Sequence, residues 1–223
     1  MIVSNGDSTS GVNAGSFGPW LAQTRAALRG EHGADVPCGD CVGCCVSAYF
    51  IPIRSRDAAA RAAIPVKWLV RAPNQAPGDT MMGYLADGTC PMLAAKKCSI
   101  YPDRPQTCRD YDCRVFAAAG IEAGGAEKST INQRVREWRF TYETEQARRD
   151  HEAVRATARF IRERDASFPH NRAPIAPTGI AVLALKSYGV YLDEAVRTLS
   201  NQEIAAAIVK ASRDFDAQCA SES

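Results

Sequence analysis

Residues 37–45 read Pro-Cys-Gly-Asp-Cys-Val-Gly-Cys-Cys, and this stretch governs how the rest of the chain is read. Cys38, Cys41, Cys44 and Cys45 stand as C-x2-C-x2-C-C, with Gly39 and Gly43 permitting the tight turns that bring sulfurs together. A C-x2-C step lets two soft thiolates reach one metal, a donor set that suits zinc and iron–sulfur clusters. Cys90, Cys98, Cys108 and Cys113 follow as C-x7-C-x9-C-x4-C, so eight of the nine cysteines fall within residues 38–113. Those eight are the expected metal ligands.

Eight thiolates match two four-ligand sites, as two clusters or one cluster plus one zinc. They also match one cluster with spare or catalytic thiols. The C-x2-C-x2-C run has the spacing of the first three ligands in bacterial ferredoxins, but Cys45 follows Cys44 directly. Neighbouring side chains tend to point apart. Cys38, Cys41 and Cys44 are therefore expected to share a cluster, with Cys45 facing away. The expected group is an iron–sulfur cluster of the 4Fe-4S type, with zinc as the alternative.

Around the cysteines the chain is irregular. Pro91, Pro102 and Pro105 each remove a backbone donor between Cys90 and Cys113. Val46–Ile53 suits an extended segment, Ser55–Ala63 a helix capped by Ser55, and Thr80–Leu85 a short strand. Val66–Val70 reads as a turn burying Trp68, and Pro73–Asp79 as loop. Lys96, Lys97, Arg104, Arg109 and Arg114 sit among the late cysteines, where cations offset thiolate charge. Arg104 and Arg109, set among prolines and cysteines, are the ones expected to support the ligands. Tyr49, Tyr84, Tyr101 and Tyr111 flank the cysteines, with packing as their simplest role.

Cys38–Cys45, Asp87-Gly88-Thr89-Cys90-Pro91-Met92-Leu93, Cys98-Ser99-Ile100-Tyr101, Arg104-Pro105 and Cys108-Arg109-Asp110-Tyr111 together resemble the CxxCxxCC cysteine-cluster family. The resemblance covers about residues 36–116 and implies zinc or iron chelation. Members of the family are often named iron–sulfur oxidoreductases, and one branch comprises flagellin lysine methylases. Similarity to that branch is confined to the cysteine segment, so methyl transfer is not implied.

The second half changes character. Ser129–Phe140 has helical spacing, with Ile131, Val135 and Trp138 on one face. Thr144 suits the cap of a helix running to about Asp165. Thr178–Tyr188 reads as a buried helix stopped by Gly189, and Ser200 with Glu203 forms a capping box for Asn201–Phe215. Near the start, Ser16–Gly30 reads as a helix carrying Phe17, Trp20 and Leu21. The expected fold is mainly α, with few short strands: an irregular cysteine-rich metal-binding module (36–116) packed on an α-helical body (128–216). Residues 1–18 are expected as a flexible tail and 19–223 as a single domain.

The net charge of +2 makes a nucleic-acid partner an unlikely role, and the mildly basic stretch Lys128–Asp165 reads as a solvated helix face. No apolar run approaches the roughly 20 residues a bilayer requires, so no membrane role is expected. The polar start has no secretory signal, which points to a reducing cytoplasm. Together with the vicinal Cys44–Cys45 pair, it argues against structural disulfides. Cys219 in the C-terminal tail is expected to be a free thiol. His32, His151 and His170 show no partner by spacing. The sequence lacks a Walker loop, G-x-G-x-x-G, G-x-S-x-G, H-E-x-x-H and the radical-SAM C-x3-C-x2-C pattern. Three readings follow: an iron–sulfur protein in redox or electron-transfer work, with a protein redox partner; a structural zinc protein showing a helical surface to a partner; and a protein-modifying enzyme acting on a protein substrate.

Overall fold

In a computed structural model, residues 11–221 are described, apart from 32, 35, 72–75 and 172. Residues 1–10 of the expected tail, His32 and part of the expected 73–79 loop therefore lie outside the described residues, as does the side chain of Cys219.

The chain opens with strand β1 (Val12–Ser16) and helix α1 (Phe17–Leu28). Short elements follow: β2 (Pro52–Ile53), α2 (Ala58–Ala63), β3 (Leu69–Val70), β4 (Thr80–Met82), β5 (Leu93–Ala94) and β6 (Lys97–Cys98). Next come α3 (Gln106–Asp110), α4 (Arg114–Ala119), α5 (Ser129–Glu137) and β7 (Trp138–Thr141). The long helices α6 (Glu145–Glu163), α7 (Pro177–Ser187) and α8 (Asn201–Ser221) complete the order. The fold is mainly α with few short strands, as the sequence implied.

The helical body forms where side-chain spacing and caps agree. On α6, Val154, Ala158 and Ile161 are fully buried, and Thr144 Oγ1 accepts the Ala147 N–H at 3.1 Å. The α7 face Ala181, Ala184 and Leu185 meets them, and its small residues allow the helices to approach closely. Helix α8 adds Ala205 and Ile208 after a formed capping box: Ser200 N donates to Glu203 Oε2 at 2.8 Å, and Glu203 N to Ser200 Oγ at 3.3 Å.

Four expectations are corrected here. Residues 11–18, read as the end of a tail, form β1 and the start of α1, and Ala14 and Phe17 are fully buried. β1 pairs in parallel with β7, matching Val12 to Trp138 and Ser16 to Thr141, with a bulge between Asn13 and Gly15. Gly15 takes φ +93° there, which a side chain would strain. Second, the helix expected over Ser129–Phe140 stops at Glu137, because Trp138–Thr141 leaves it to make that strand pair. Third, α2 is preceded by Asp57, not capped by Ser55; the Asp57 carboxylate instead accepts from Arg54 N at 2.8 Å and Gln106 N at 3.0 Å. Trp68 is half-buried, not buried.

A second, smaller core lies under the cysteine module. The antiparallel sheet β2–β4–β3 supplies Ile53 and Met82, and α2 supplies Ala60, with Ile64 just beyond it; all four pack with Met92 and Cys90. No described helix is long and apolar enough to cross a membrane.

Candidate metal centre

The 37–45 loop is a series of tight turns. Cys41 N donates to Cys38 O at 3.0 Å and Cys45 N to Val42 O at 2.8 Å, with Gly39 at φ +59°. Residues Gly43–Val46 form one 3-10 turn. Helix α5 presses on this turn so closely that a Cβ at Gly43 would stand 3.1 Å from Ile131 Cγ1 and 3.3 Å from Ile131 N. Glycine at position 43 therefore serves the close contact with the body, while the left-handed turn of the loop is made at Gly39.

The later cysteines are brought to the loop by separate devices. Cys90 N donates to Cys45 O at 2.7 Å, tying the second segment to the first. Cys98 closes the β5–β6 hairpin, whose two turn residues, Ala95 and Lys96, both take positive φ. Cys108 rides on α3, positioned by the Asp57 contact to Gln106 N and by Thr107 Oγ1 donating to Pro52 O at 2.9 Å. Cys113 directly precedes α4 and is buried.

All eight are free thiols. Cys38, Cys41, Cys44, Cys108 and Cys113 line one cavity, whereas Cys90, Cys45, Cys98 and Cys108 pack at the small core. Cys108 belongs to both groups. The sulfurs of Cys44 and Cys45 are 3.9 Å apart. Among the described residues, no three of these side chains converge tightly enough to hold an ion as they stand. The backbone gathers the donors into one region without closing them on a point.

The polar groups around the sulfurs show whether a metal–thiolate group would fit. Buried inside the protein, the hydroxyls of Tyr49, Tyr84 and Tyr111 and the Nε of Arg109 have no hydrogen-bond partner. Orphaned buried donors are uncommon in folded proteins. Burial raises the hydroxyl of Tyr84 with Cys90 and Cys108 nearby; burial also raises those of Tyr49 and Tyr111, which face each other with Cys113 and Cys44 further off. Tyr84 and Arg109 are thus donors left open beside the cysteines, and sulfur is an acceptor that is weak as a thiol and strong as a metal-bound thiolate. The set fits an anionic metal–thiolate group.

Five of the thiols are held towards the neutral form. Burial first, then the neighbouring Cys44 and Cys41, pushes Cys38 up to about 11. Burial pushes Cys108 and Cys113 up to about 12, and it raises Cys90 as well. Cys44 is raised mainly by its contact with Cys45 and then by burial. A bound cation reverses this balance, because a coordinating thiol loses its proton outright.

Both arginines expected from the sequence reach the cavity wall, Arg104 with its guanidinium 3.9 Å from the Tyr101 ring centroid. Arg114 does not: it forms a buried ion pair with Asp112 at 2.9 Å and also donates to Ala14 O at 3.1 Å. Lys96 and Lys97 are exposed. Two residues that the sequence did not single out as cysteine partners stand at the sulfurs. Arg134 of α5 lines the cavity and pairs with Asp40 at 3.6 Å, and Trp138 Nε1 donates to Cys113 Sγ at 3.2 Å. Their helical spacing was visible, but nothing local linked them to cysteines far upstream. His151 lies away from the cysteines, stacked on Phe17 at 4.2 Å.

Residues 37–135 match the model of a family described as "Putative zinc- or iron-chelating domain". The match runs past the expected edge at 116 and takes in most of α5, including Ile131 and Arg134. Neither the curated proteins nor the solved structures contain a match to this chain.

Proposed function

Because this chain carries a CxxCxxCC domain at residues 37–135, we propose that it is an iron–sulfur protein working in electron transfer or as a component of a redox enzyme. The observation that carries this reading is the gathering of eight free thiols, from Cys38 to Cys113, among orphaned buried donors. An iron–sulfur cluster of the 4Fe-4S type would be held by these cysteines and would supply one-electron chemistry. The chain's own residues do the rest. Arg104, Arg109 and Arg134 on the cavity wall would offset negative charge on metal-bound sulfurs, the Tyr84 hydroxyl is a donor left without a partner, and α5 keeps the loop closed. A protein redox partner is the partner this reading implies.

One observation favours a structural zinc ion instead. A tetrahedral ion with Zn–S bonds of about 2.3 Å has sulfur–sulfur edges of about 3.8 Å, and the Cys44–Cys45 separation is 3.9 Å. Elemental analysis with Mössbauer spectroscopy on protein made without oxygen separates the two. Several irons per chain with broad visible absorption support the cluster. Colourless protein with one or two zinc ions supports the structural ion. Cys108→Ser is expected to lower metal content and stability together, and Cys219→Ser to leave metal content unchanged. Unchanged stoichiometry in Cys108→Ser counts against both readings.

A further inference from the structure

Cys113 differs from the other seven cysteines in the source of its hydrogen bond. Its sulfur accepts the indole N–H of Trp138 at 3.2 Å, and both residues are buried. Trp138 lies beyond the end of the family match, as the first residue of β7. Its position is fixed from two sides. Helix α5 ends at the preceding residue, and the parallel β1–β7 pairing matches Trp138 to Val12. One helical turn back, Arg134 places its guanidinium 5.7 Å from the Trp138 ring centroid and pairs with Glu137 at 3.5 Å and Asp40 at 3.6 Å. Asp40 lies between Cys38 and Cys41 in the loop. The α5–β7 segment thus reaches the cysteine cavity at two points, with the Arg134 cation beside Cys41 and a neutral donor on Cys113.

We propose that Trp138 is a positioning residue for the metal: its indole N–H fixes the Cys113 sulfur in the orientation that ligates. An indole N–H only donates, so the bond gains strength when sulfur carries charge. As the metal–sulfur bond forms, the S–H bond breaks and its proton passes to solvent. The Trp138 donor stabilises the resulting thiolate and keeps the sulfur from rotating away. The idea rests on the metal-binding reading above. The alternative role is plain packing, with the indole N–H taking the nearest acceptor.

Trp138→Phe separates these roles, since it keeps an aromatic ring under Arg134 and removes only the donor. The probe is Co²⁺ titrated anaerobically into metal-free protein. Trp138→Phe is expected to bind the same number of ions, with affinity lower by about tenfold or more, the usual range for losing such a supporting bond. The sulfur-to-cobalt charge-transfer band is expected to shift. Equal affinity and an unmoved band overturn the proposal. If Trp138→Phe does not fold, the unmodified protein gives the answer. On loading with ¹¹³Cd²⁺ its Trp138 indole proton is expected to move downfield and couple to cadmium, and an unmoved resonance overturns the proposal. Cys113→Ser distinguishes this from failure of the underlying reading. Unchanged ion stoichiometry in that variant removes Cys113 from the site altogether, whereas a lost ion with a silent Trp138→Phe removes only the role of Trp138.

Discussion

The cysteine module and the helical body solve the problem of staying folded in different ways. In the body, α6 alone runs 19 residues, its caps are formed, and its core joins α1, α4, α6, α7 and α8. Between residues 37 and 113, the longest regular element among the described residues is the six-residue α2, and the core is a handful of side chains from Ile51 to Met92. Core size decides how much stabilisation burial can supply, and small cores commonly need a disulfide or metal. The thiols here are free, and the metal proposed above would take that role. The contrast teaches that the two halves carry separate sources of stability, joined along α5, β7 and the Asp112–Arg114 pair.

That joint offers the most forceful way to break the comparison. Asp112 accepts from Trp20 Nε1 at 2.9 Å and from Arg114 N at 2.9 Å, while Arg114 reaches back to Ala14 O. Both members of the ion pair are almost fully buried. Asp112→Ala takes the Asp112 carboxylate away from a buried guanidinium and from the Trp20 indole, and the expected loss is about 3–5 kcal/mol. The loss should appear in urea unfolding of metal-free protein, because every partner named belongs to the body. A loss confined to metal-loaded protein would show that the body is not self-supporting.

A smaller effect sharpens the same point through pH. His151 is stacked on Phe17 with Nδ1 2.7 Å from Tyr142 Oη, and its other side faces the Ala117–Ala118 backbone. Burial, and then the nearby Arg155, lowers it from 6.5 to about 4. The unfolded chain therefore binds more protons between these values, so stability rises with pH across this window. It is fully present above about 6.5 and lost as pH falls towards 4, by at most about 3 kcal/mol. His151→Phe should flatten the stability profile between pH 4 and 6.5 in metal-free protein. An unchanged slope would mean that other groups set the acid sensitivity of the body.

The difference between the regions also explains what the sequence disclosed. Helices α6, α7 and α8 were legible because spacing and caps are local: Thr144 binds Ala147, and Ser200 binds Glu203. The cysteine set was legible because ligand chemistry is written in residue type. Pairings between distant segments were not. Trp138 has helical neighbours, yet its strand partner is Val12, and the same pairing turned an expected tail into β1. Ser55 reads as the cap of α2, but the carboxylate that matters is that of Asp57, which holds the start of α3 and so the place of Cys108. The donors at sulfur were hidden for the same reason, since Arg134 and Trp138 reach the cysteines only once α5 is folded against the loop.

The smallest predicted effect tests that contact directly. Gly43 sits where the 3-10 turn meets α5, and an added Cβ would press within 3.1 Å of Ile131 Cγ1 and 3.4 Å of Ile131 Cα. The turn must move by a few tenths of an ångström, since Ile131 is itself buried in the main core. Gly43→Ala is therefore expected to cost about 1–2 kcal/mol by crowding. If module and body draw on separate sources of stability, the cost should be uneven. Hydrogen exchange should speed up in residues 37–46 while the α6 and α7 amides stay protected, and Co²⁺ should bind more weakly because Cys41, Cys44 and Cys45 shift together. Uniform faster exchange through α6 and α7 would mean that the loop and the helices unfold as one unit, and that metal stabilises the whole chain instead of its first half.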